Sequence, residues 1–417
     1  MDVRSTVIVD GNAGERARTL DKAALAQALR NSRARTLALF AAYESALGPQ
    51  LRVPCTSELN PPLWELGHIG WFADWWITRN PQRDQGVAAD PQAARAPARQ
   101  ARRGVDADAL YNSSEVPHDS RWQLPLPGAD ATRADLAESL QDTLNRLDQA
   151  PETDESLYFF RLALFHEDMH AEAAVYMAQT LGFDPQDAAT TDLASGATRA
   201  WPPRDLRVDA ARVRLGFDGP GFAFDNELGA HTVDVVDLRI DTHLVSWAQF
   251  LPFVDSGSYS QPRFWSEPGW AWRQQQARQA PRHLRQRADG VWEQQRWGPW
   301  QSIDPMAPAC HLSFFEAQAW CRWAGRRLPT EAEWIAASTQ DGFVWGQVWE
   351  WTASPFAPFT GFTPHPYRDY SQPWFDGRPV LKGASAATAS RMRHRQYRNY
   401  FTPERNDLFA GFRSVAL

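Results

Sequence analysis

The sequence predicts an α plus α+β protein, in which an N-terminal four-helix bundle is followed by a C-terminal α+β domain. Up to about residue 182, apolar residues recur at helical spacing in four long segments. From about residue 190, proline, glycine and aromatic residues become more frequent and the periodic segments shorten. A chain of 417 residues is also too long for one ordinary core. We expect a flexible N-terminus at 1–18, the bundle at 19–188 and the second domain at 189–417.

The helices of the bundle follow from apolar spacing and from residues that start or stop helices. Pro61 and Pro62 suit the first turn of a helix, because proline lacks the backbone donor that is unused there. Gly182 is a suitable C-terminal stop. An Ala-, Arg- and Pro-rich stretch at 81–103 lacks apolar periodicity and is expected to be a loop. The predicted helices span about 19–47, 58–75, 131–147 and 154–181.

The second domain is expected to contain short strands and two short helices. Alternating apolar residues predict strands, and Thr330 with Glu333 forms a capping-box pattern at a helix start. The predicted strands lie at 212–216, 231–235 and 410–415, and the predicted helices at 313–324 and 330–337.

Composition limits the class of protein. Hydrophobic residues make up 43% and charged residues 22%, and no apolar run approaches the roughly 20 residues of a membrane span. The first residues lack the layout of a signal peptide, and three scattered cysteines form no disulfide framework, so a cytoplasmic location is expected. The net charge of −7 argues against nucleic acid. We expect small-molecule substrates, with no membrane and no obligate protein partner.

Three histidines form the candidate metal site. His166 and His170 are four residues apart, so both project from one face of the fourth helix. His68 lies on the second helix, which is expected to pack beside it. Three neutral imidazoles from two helices can hold one metal ion and leave coordination positions open for reactants.

Two carboxylates are candidates for orienting these imidazoles. Glu65 is one turn before His68 and on its face, although a surface salt bridge would explain it equally well. Glu172 projects to nearly the opposite face from His170, which makes it a poor metal ligand. A supporting contact to a ligand or a helix-pairing contact is expected for Glu172.

Both halves resemble one family, the iron-dependent sulfoxide synthases related to ergothioneine synthase. The runs PPLWELGH at 61–68 and HEDMHAE at 166–172 resemble its DinB-like helical bundle. The runs GRRLPTEAEW at 325–334, VWEWT at 348–352 and GFR at 411–413 resemble the formylglycine-generating-enzyme fold, a C-type-lectin-like domain. By this resemblance His68, His166 and His170 bind Fe(2+). The family joins a chalcogen nucleophile to the imidazole C2 of hercynine, a trimethylated betaine, with O2.

The resemblance also implies a substrate clamp in the run RNYF at 398–401. Asn399 is expected to bind the hercynine carboxylate, Tyr400 to lie near it, and Phe401 or neighbouring aromatic residues to face the trimethylammonium group. Arg398 and Met169 are also expected to bind substrate. A proton donor near iron is a tyrosine in this family, and Tyr367 and Tyr370 match a family stretch. The residues alone do not choose between these two tyrosines.

Departures from the family pattern point to an unusual donor. Many relatives carry Asp where Phe401 stands, to bind the amino group of a thiol donor, and Gln where Met169 stands. Residues 110–127 resemble the selenoneine-synthase branch, which joins hercynine to a selenosugar. Polar residues there are expected to suit a neutral polyhydroxyl donor. They are Asn112, Ser114, Glu115, Arg121 and Trp122.

Other functions remain open at this point. A C–S bond to γ-glutamylcysteine or cysteine is the main alternative. A zinc-dependent thiol transferase of the DinB-like type is a second, because His spacing does not distinguish zinc from iron. A formylglycine-generating oxidase is a third, but it needs a reactive cysteine pair, and Cys310 and Cys321 flank a helix far from where such a pair belongs. A lectin-like binding module on a helical bundle is the fourth.

Overall fold

A computed structural model describes residues 13–186 and 205–417 of the chain. The first half is helical, and a π-helical turn at Asp74–Thr78 extends its third helix. Short 3-10 helices lie at Arg83–Ala88, Arg99–Arg103 and His118–Gln123. The α-helices are α1 (Ala13–Arg18), α2 (Lys22–Leu47), α3 (Pro62–Ala73), α4 (Ala107–Tyr111), α5 (Ala129–Gln149) and α6 (Asp154–Leu181).

Local capping explains where the two longest helices begin and end. The side chain of Asp21 accepts a hydrogen bond from the Ala24 amide at 2.8 Å, so α2 starts after it. Thr153 caps α6 in the same way, and Gly182 ends that helix with a φ of 83°, which glycine adopts without strain. The predicted fourth helix is confirmed at both ends, and the predicted first helix starts at residue 22.

One expectation about the N-terminus is wrong for residues 13–18. These residues form α1 rather than a flexible segment, because Arg18 makes a buried ion pair with Glu227 in the second half, 2.6 Å between Nη2 and Oε1. Gly14 lies so close to the Arg393 carbonyl that a Cβ there would be 2.1 Å from the oxygen. Tertiary contact therefore orders a segment that has little helical signal of its own.

The second half is α+β, as predicted. It contains α7 (Trp247–Asp255), α8 (Glu267–Gln275), α9 (Phe314–Trp323) and α10 (Glu331–Ser338). Ser313 and Thr330 cap α9 and α10, each with a reciprocal capping box. The strands are β1 (Asp205–Val208), β2 (Ala211–Leu215), β3 (His231–Val235), β4 (Leu238–Asp241), β5 (Leu284–Gln286), β6 (Trp292–Gln295), β7 (Trp300–Ser302), β8 (Arg326–Arg327), β9 (Trp349–Pro355), β10 (Pro379–Gly383), β11 (Asn399–Tyr400), β12 (Ala410–Gly411) and β13 (Val415–Ala416).

These strands form small sheets with long crossovers. One sheet has the order β1-β4-β13-β8 and another has the order β11-β10-β9-β12, in which β12 runs parallel to β9. The pair β2-β3 and the ladder β5-β6-β7 are antiparallel. The predicted strand at 410–415 is split, because β12 pairs with β9 and β13 pairs with β4 and β8.

The two halves share one apolar core. Phe165 on α6 packs against Phe222 at 5.1 Å between ring centroids, and Phe224 belongs to the same cluster. Within the bundle, α2 packs on α6, and α3 packs on α5 and α6. The second half therefore covers the helix that carries His166 and His170. In the described part of the chain, no helix is long and apolar enough to cross a membrane.

Candidate metal centre

The three predicted ligands meet between α3 and α6. His68 comes from α3, and His166 and His170 come from successive turns of α6. Nε2 of His166 lies 3.2 Å from Nε2 of His68 and 3.2 Å from Nε2 of His170. His68 and His166 are buried, at 2% and 3% exposure. One ligand atom from each residue lies within 4.8 Å of the others, which is a spacing that a single ion can bridge.

Hydrogen bonds fix the tautomers of two of these imidazoles. Nδ1 of His68 donates to the Tyr111 carbonyl at 2.8 Å, and Nδ1 of His170 donates to Oε2 of Glu65 at 2.5 Å. The proton therefore sits on Nδ1 in both rings, and Nε2 carries a lone pair. Lone pairs that face each other at 3.2 Å repel unless a cation or a proton lies between them. The residues present thus fit a bound metal ion.

Burial keeps the rings of His68 and His166 neutral, as metal binding requires. Desolvation, together with the nearby His170 imidazole, lowers the pKa of His68 to about 3. The same causes lower the pKa of His166 well below its ordinary value. Burial raises the pKa of Glu65, but the electrostatic attraction and the hydrogen bond of the His170 ring outweigh it, so the net shift is downward and the carboxylate stays ionised.

Aromatic rings support two of the ligands from behind. Phe72 stacks on His166 with centroids 3.5 Å apart and planes 4° apart. Trp64 stacks on His68 at 4.8 Å and 9°. The guanidinium carbon of Arg121 lies 3.7 Å from the centre of the Trp64 ring, and Nη1 of Arg121 donates to Asn60. Arg121, a predicted sugar contact, is thus part of the support for His68.

Tyr367 is the nearer of the two proton-donor candidates. Its ring packs edge-on against Phe72, with centroids 5.0 Å apart, and lies 6.3 Å from the His166 ring. Burial raises the pKa of Tyr367 despite a hydrogen bond to Ser113, so the phenol keeps its proton. The Tyr370 hydroxyl instead forms a hydrogen bond with Tyr397 at 3.1 Å.

The segment 112–115 meets the segment 366–370 beside the imidazoles. The Ser114 hydroxyl donates to the carboxylate of Asp369, and Asn112 accepts from the Ser114 amide at 3.2 Å. Trp122 is placed differently from expectation. Its indole nitrogen donates to the Val53 carbonyl at 2.9 Å and its ring packs in the bundle, so its polar atom serves the fold.

The predicted clamp at 398–401 is only partly available to a substrate. Arg398 is engaged in the fold, contrary to the expectation that it binds substrate. Its side chain is buried, its Nε donates to Glu331 at 3.0 Å, and its Nη1 donates to the carbonyls of Asn226 and Ala357. Asn399 is half-buried, and its amide oxygen accepts from the Tyr400 amide. Arg398 therefore holds this strand in place through buried hydrogen bonds.

Aromatic contacts place the neighbouring clamp residues. The Tyr400 ring stacks on Phe356 at 3.9 Å, and its hydroxyl donates to the Tyr370 carbonyl. The guanidinium of Arg405 lies over the Phe401 ring at 5.1 Å. Met169 accepts a weak hydrogen bond from the Tyr397 hydroxyl, with 3.5 Å between oxygen and sulfur.

Two carboxylates of α6, Asp168 between its two histidines and Glu172 after them, bind residues of the second half. Oε1 of Glu172 accepts from Trp349, Ser385 and Thr388 at 2.6–2.8 Å, so its partners are residues of the second half and not an imidazole. Asp168, which sequence reasoning overlooked, accepts from Arg391 at 2.5 and 2.9 Å. The sequence signal for this role was the position of Asp168, two residues from each of His166 and His170. This spacing puts its side chain on the opposite face of α6 from the two histidines.

Sequence reasoning also missed Tyr111 and Tyr397. Tyr111 acts through its backbone carbonyl, which no side-chain motif reports. Tyr397 lies immediately before the expected clamp, and its ring packs 5.7 Å from Trp349. Together the groups form a buried three-imidazole centre whose remaining side is covered by tyrosines of the second half.

Comparison with known proteins gives consistent results. The family described as Sulfatase-modifying factor enzyme 1-like domain (FGE-sulfatase) matches residues 192–347, which confirms the type of domain expected for the second half. Hercynine oxygenase of Mycolicibacterium thermoresistibile is 31% identical over 94% of this chain and 94% of its own. Hercynine oxygenase of Mycobacterium tuberculosis is 32% identical over 93% of this chain and 97% of its own. Formylglycine-generating enzyme of Mus musculus is 31% identical over 36% of this chain and 43% of its own.

Proposed function

Because this chain belongs to the hercynine oxygenase family, we propose that it joins a chalcogen donor to C2 of the hercynine imidazole with iron(II) and O2. It is an oxygen-dependent oxidoreductase. The proposed catalytic unit is a DinB-like bundle at 19–188, followed by a formylglycine-generating-enzyme-like domain at 189–417. The convergence of three imidazole Nε2 atoms, two of them in rings whose tautomers are fixed by hydrogen bonds, carries the proposal.

The proposed reaction balances without a further reductant. Hercynine, one donor RSeH or RSH, and O2 give an adduct in which the chalcogen bears both C2 and one oxygen atom, and the second oxygen leaves as water. The C2–H and chalcogen–H bonds break, and the two substrates supply the four electrons that reduce O2. Iron(II), when bound, supplies the redox chemistry that activates O2.

The chain's own residues would handle a proton and position hercynine. Tyr367 is the proposed proton donor, because its phenol stays protonated beside the His166 ring. The amide nitrogen of Asn399 has the donors that a carboxylate requires. Faces of the neighbouring tyrosines, including Tyr400, suit a trimethylammonium group by cation–π attraction.

The surroundings of Phe401 favour a donor without a positive charge. The Arg405 guanidinium lies over this ring and is paired with Asp407 at 2.6 Å through both oxygens. A cation at this position would meet the positive guanidinium of Arg405, and the carboxylate of Asp407 is already engaged by that guanidinium. We therefore propose a neutral selenosugar as the donor, with Asn112 and Ser114 near the site for its hydroxyls.

A sulfur donor is the second candidate. The identity of about 31% to hercynine oxygenases extends over nearly the whole chain, so the general scheme of that family favours an ergothioneine-type reaction with γ-glutamylcysteine or cysteine. Both candidates need the same metal centre and hercynine subsite. They differ in the contacts made by the donor.

The proposal is tested by anaerobic reconstitution with iron(II), followed by hercynine and one donor at a time. A selenosugar, γ-glutamylcysteine and cysteine are compared in parallel, with O2 uptake and mass spectrometry of the products. We expect one adduct, formed only with iron and O2, and the selenosugar to be consumed fastest. Consumption of thiols alone would show that the selenium proposal is wrong.

Matched variants distinguish loss of the metal site from general destabilisation of the fold. His68→Ala is expected to lose stoichiometric iron and all turnover. His231→Ala changes a half-buried histidine that bonds the Gly229 carbonyl in the second half, and it is expected to keep both. If zinc-loaded protein transfers a thiol without O2, the oxidative proposal fails and the transferase alternative replaces it.

A further inference from the structure

A small cavity lies inside the bundle next to the proposed metal centre. It has a volume of about 40 Å³, is partly open to solvent, and is lined by residues of α2, α3 and α6. Each helix contributes residues at spacings of three and four, so one face of each helix lines it. The lining residues are Thr36, Leu39, Phe40, Tyr43, Pro62, Glu65, Leu66, Ile69, His170, Ala171, Ala174 and Met177.

The cavity exists because two small residues stand where α6 faces α2. Ala171 and Ala174 carry only a methyl group, whereas most of the other lining residues have larger side chains. Its volume exceeds the roughly 10–15 Å³ that one water molecule needs, so a diatomic molecule fits. Glu65 and His170 are among the lining residues, which places the space directly beside a proposed ligand.

The chemistry of the lining favours an apolar guest over water. An ordered buried water needs about two to four polar partners. The Tyr43 hydroxyl already donates to the Ala174 carbonyl at 2.6 Å, and Glu65 is bonded to His170. The Thr36 hydroxyl is buried without a hydrogen-bond partner among the described residues. The lining is otherwise mostly apolar, so it offers few anchors for an ordered water.

We propose that this cavity is a binding site for O2, which it concentrates beside His170. O2 is small and apolar, and apolar cavities that stay dry take up apolar guests such as xenon. The inference rests on the oxygen dependence of the proposed function. It adds a gas site that is separate from the subsites for hercynine and the donor.

The first test uses xenon as a probe and needs neither iron nor substrates. Crystals of the metal-free full chain are pressurised with xenon, and a xenon peak is expected in the cavity. Ala174→Leu fills the space and is expected to abolish the peak. Ala173→Leu is the matched control, because this neighbour on α6 does not line the cavity. An empty or water-filled cavity under xenon would overturn the proposal.

The second test asks whether the site serves O2. In the iron-loaded enzyme, Ala174→Leu is expected to raise the KM for O2 several-fold, with the KM for hercynine unchanged, and Ala173→Leu is expected to change neither. Xenon binding without any change in the KM for O2 would also overturn the proposal. If Ala174→Leu does not fold, Ala171→Val reduces the space with one fewer carbon and the same expectation applies.

Thr36→Val gives an independent check at constant volume. It removes the unpartnered hydroxyl. If the cavity binds gas, the variant is expected to bind xenon and to have the same KM for O2 as the parent protein. If the cavity binds water, that water loses its hydrogen-bond partner. A water bound to Thr36 in the parent crystals, lost in Thr36→Val, would contradict the proposal. Because xenon binding is measured on metal-free protein, it stays informative even if hercynine is not the substrate.

Discussion

Glu65 lies one turn before His68 on α3, yet its carboxylate accepts a hydrogen bond from Nδ1 of His170 on α6, at 2.5 Å. The helix that carries one proposed ligand thus orients the ligand of the facing helix. This contact ties the two helices together at the metal centre. It also increases the basicity of His170 toward a metal, since a carboxylate partner makes an imidazole a stronger donor.

Removal of the hydrogen bond between Glu65 and His170 is expected to weaken metal binding. Glu65→Ala leaves the His170 Nδ1 proton without its acceptor, and the affinity for iron(II) or cobalt(II) should fall roughly 10- to 100-fold. Glu65→Gln, which retains an acceptor, should lose less. Competition with a chelator under anaerobic conditions measures both. Glu172→Ala is the control on α6: it should destabilise the fold by about 1–3 kcal/mol and leave metal affinity unchanged.

Gly67→Ala is expected to damage the site through Tyr111. A Cβ on Gly67 would lie 2.1 Å from Cε1 of the Tyr111 ring, and the carbonyl of that residue holds His68. The ring must shift, at a cost of about 1–3 kcal/mol, and metal affinity should fall as well. Urea unfolding and metal titration report the two effects. Gly128→Ala meets no atom within 4 Å and should change neither quantity; equal effects of both variants would contradict the assignment.

Tyr367→Phe is expected to slow turnover without loss of metal. If the phenol donates a proton in the reaction, its removal should lower kcat by about 10²- to 10⁴-fold. Iron content and the KM for hercynine should stay near the parent values. Tyr370→Phe is the matched control, because that hydroxyl bonds Tyr397, and a smaller loss is expected. A kcat for Tyr367→Phe close to that of the parent would exclude this tyrosine as donor.

Glu331→Gln is expected to be among the most destabilising single changes in the second half. The carboxylate is buried between Arg398 and the ammonium of Lys382, at 3.0 and 3.4 Å. Its neutralisation leaves two buried cations uncompensated, at a cost of about 3–5 kcal/mol. Asp376→Asn removes a partner of Arg378 near the surface and should cost far less. Denaturant unfolding of both variants gives the comparison.

Stability is expected to rise with pH between about pH 8 and pH 10.5 because of Lys382. Burial lowers the pKa of this lysine from 10.5 to about 8. Across this interval the unfolded chain holds the proton that the folded chain has released, so the free energy of unfolding increases with pH. Lys382→Met should remove this contribution, which is about 3 kcal/mol at most. Urea unfolding at several pH values measures it, and identical pH profiles would contradict the shift.

Local signals predicted much of the secondary structure. The period of apolar residues placed α6 at its observed bounds, and Thr330 with Glu333 marked the capping box of α10. The spacing of His166 and His170 was enough to put both on one face, because a helix repeats every 3.6 residues. These features depend only on neighbours along the chain.

Long-range partners were beyond such signals. Arg398 sits beside Asn399 in the sequence, but a buried Glu331 removes it from the expected clamp. Glu172 has the same chemistry as Glu65, and yet its partners are Trp349, Ser385 and Thr388. Side chains with identical chemistry took different roles because different elements packed against them.

By itself the sequence predicted a helical first half and an α+β second half, the helix that presents a pair of imidazoles, and a third histidine on a neighbouring helix. Only the tertiary structure decided that His68 reaches that pair, that Glu65 braces His170, and that Tyr367 covers the centre. Helical periodicity is a short-range property that each segment carries alone. The distance between two helices depends on packing across the whole core, including the small Ala171 and Ala174 that leave a cavity beside the proposed metal.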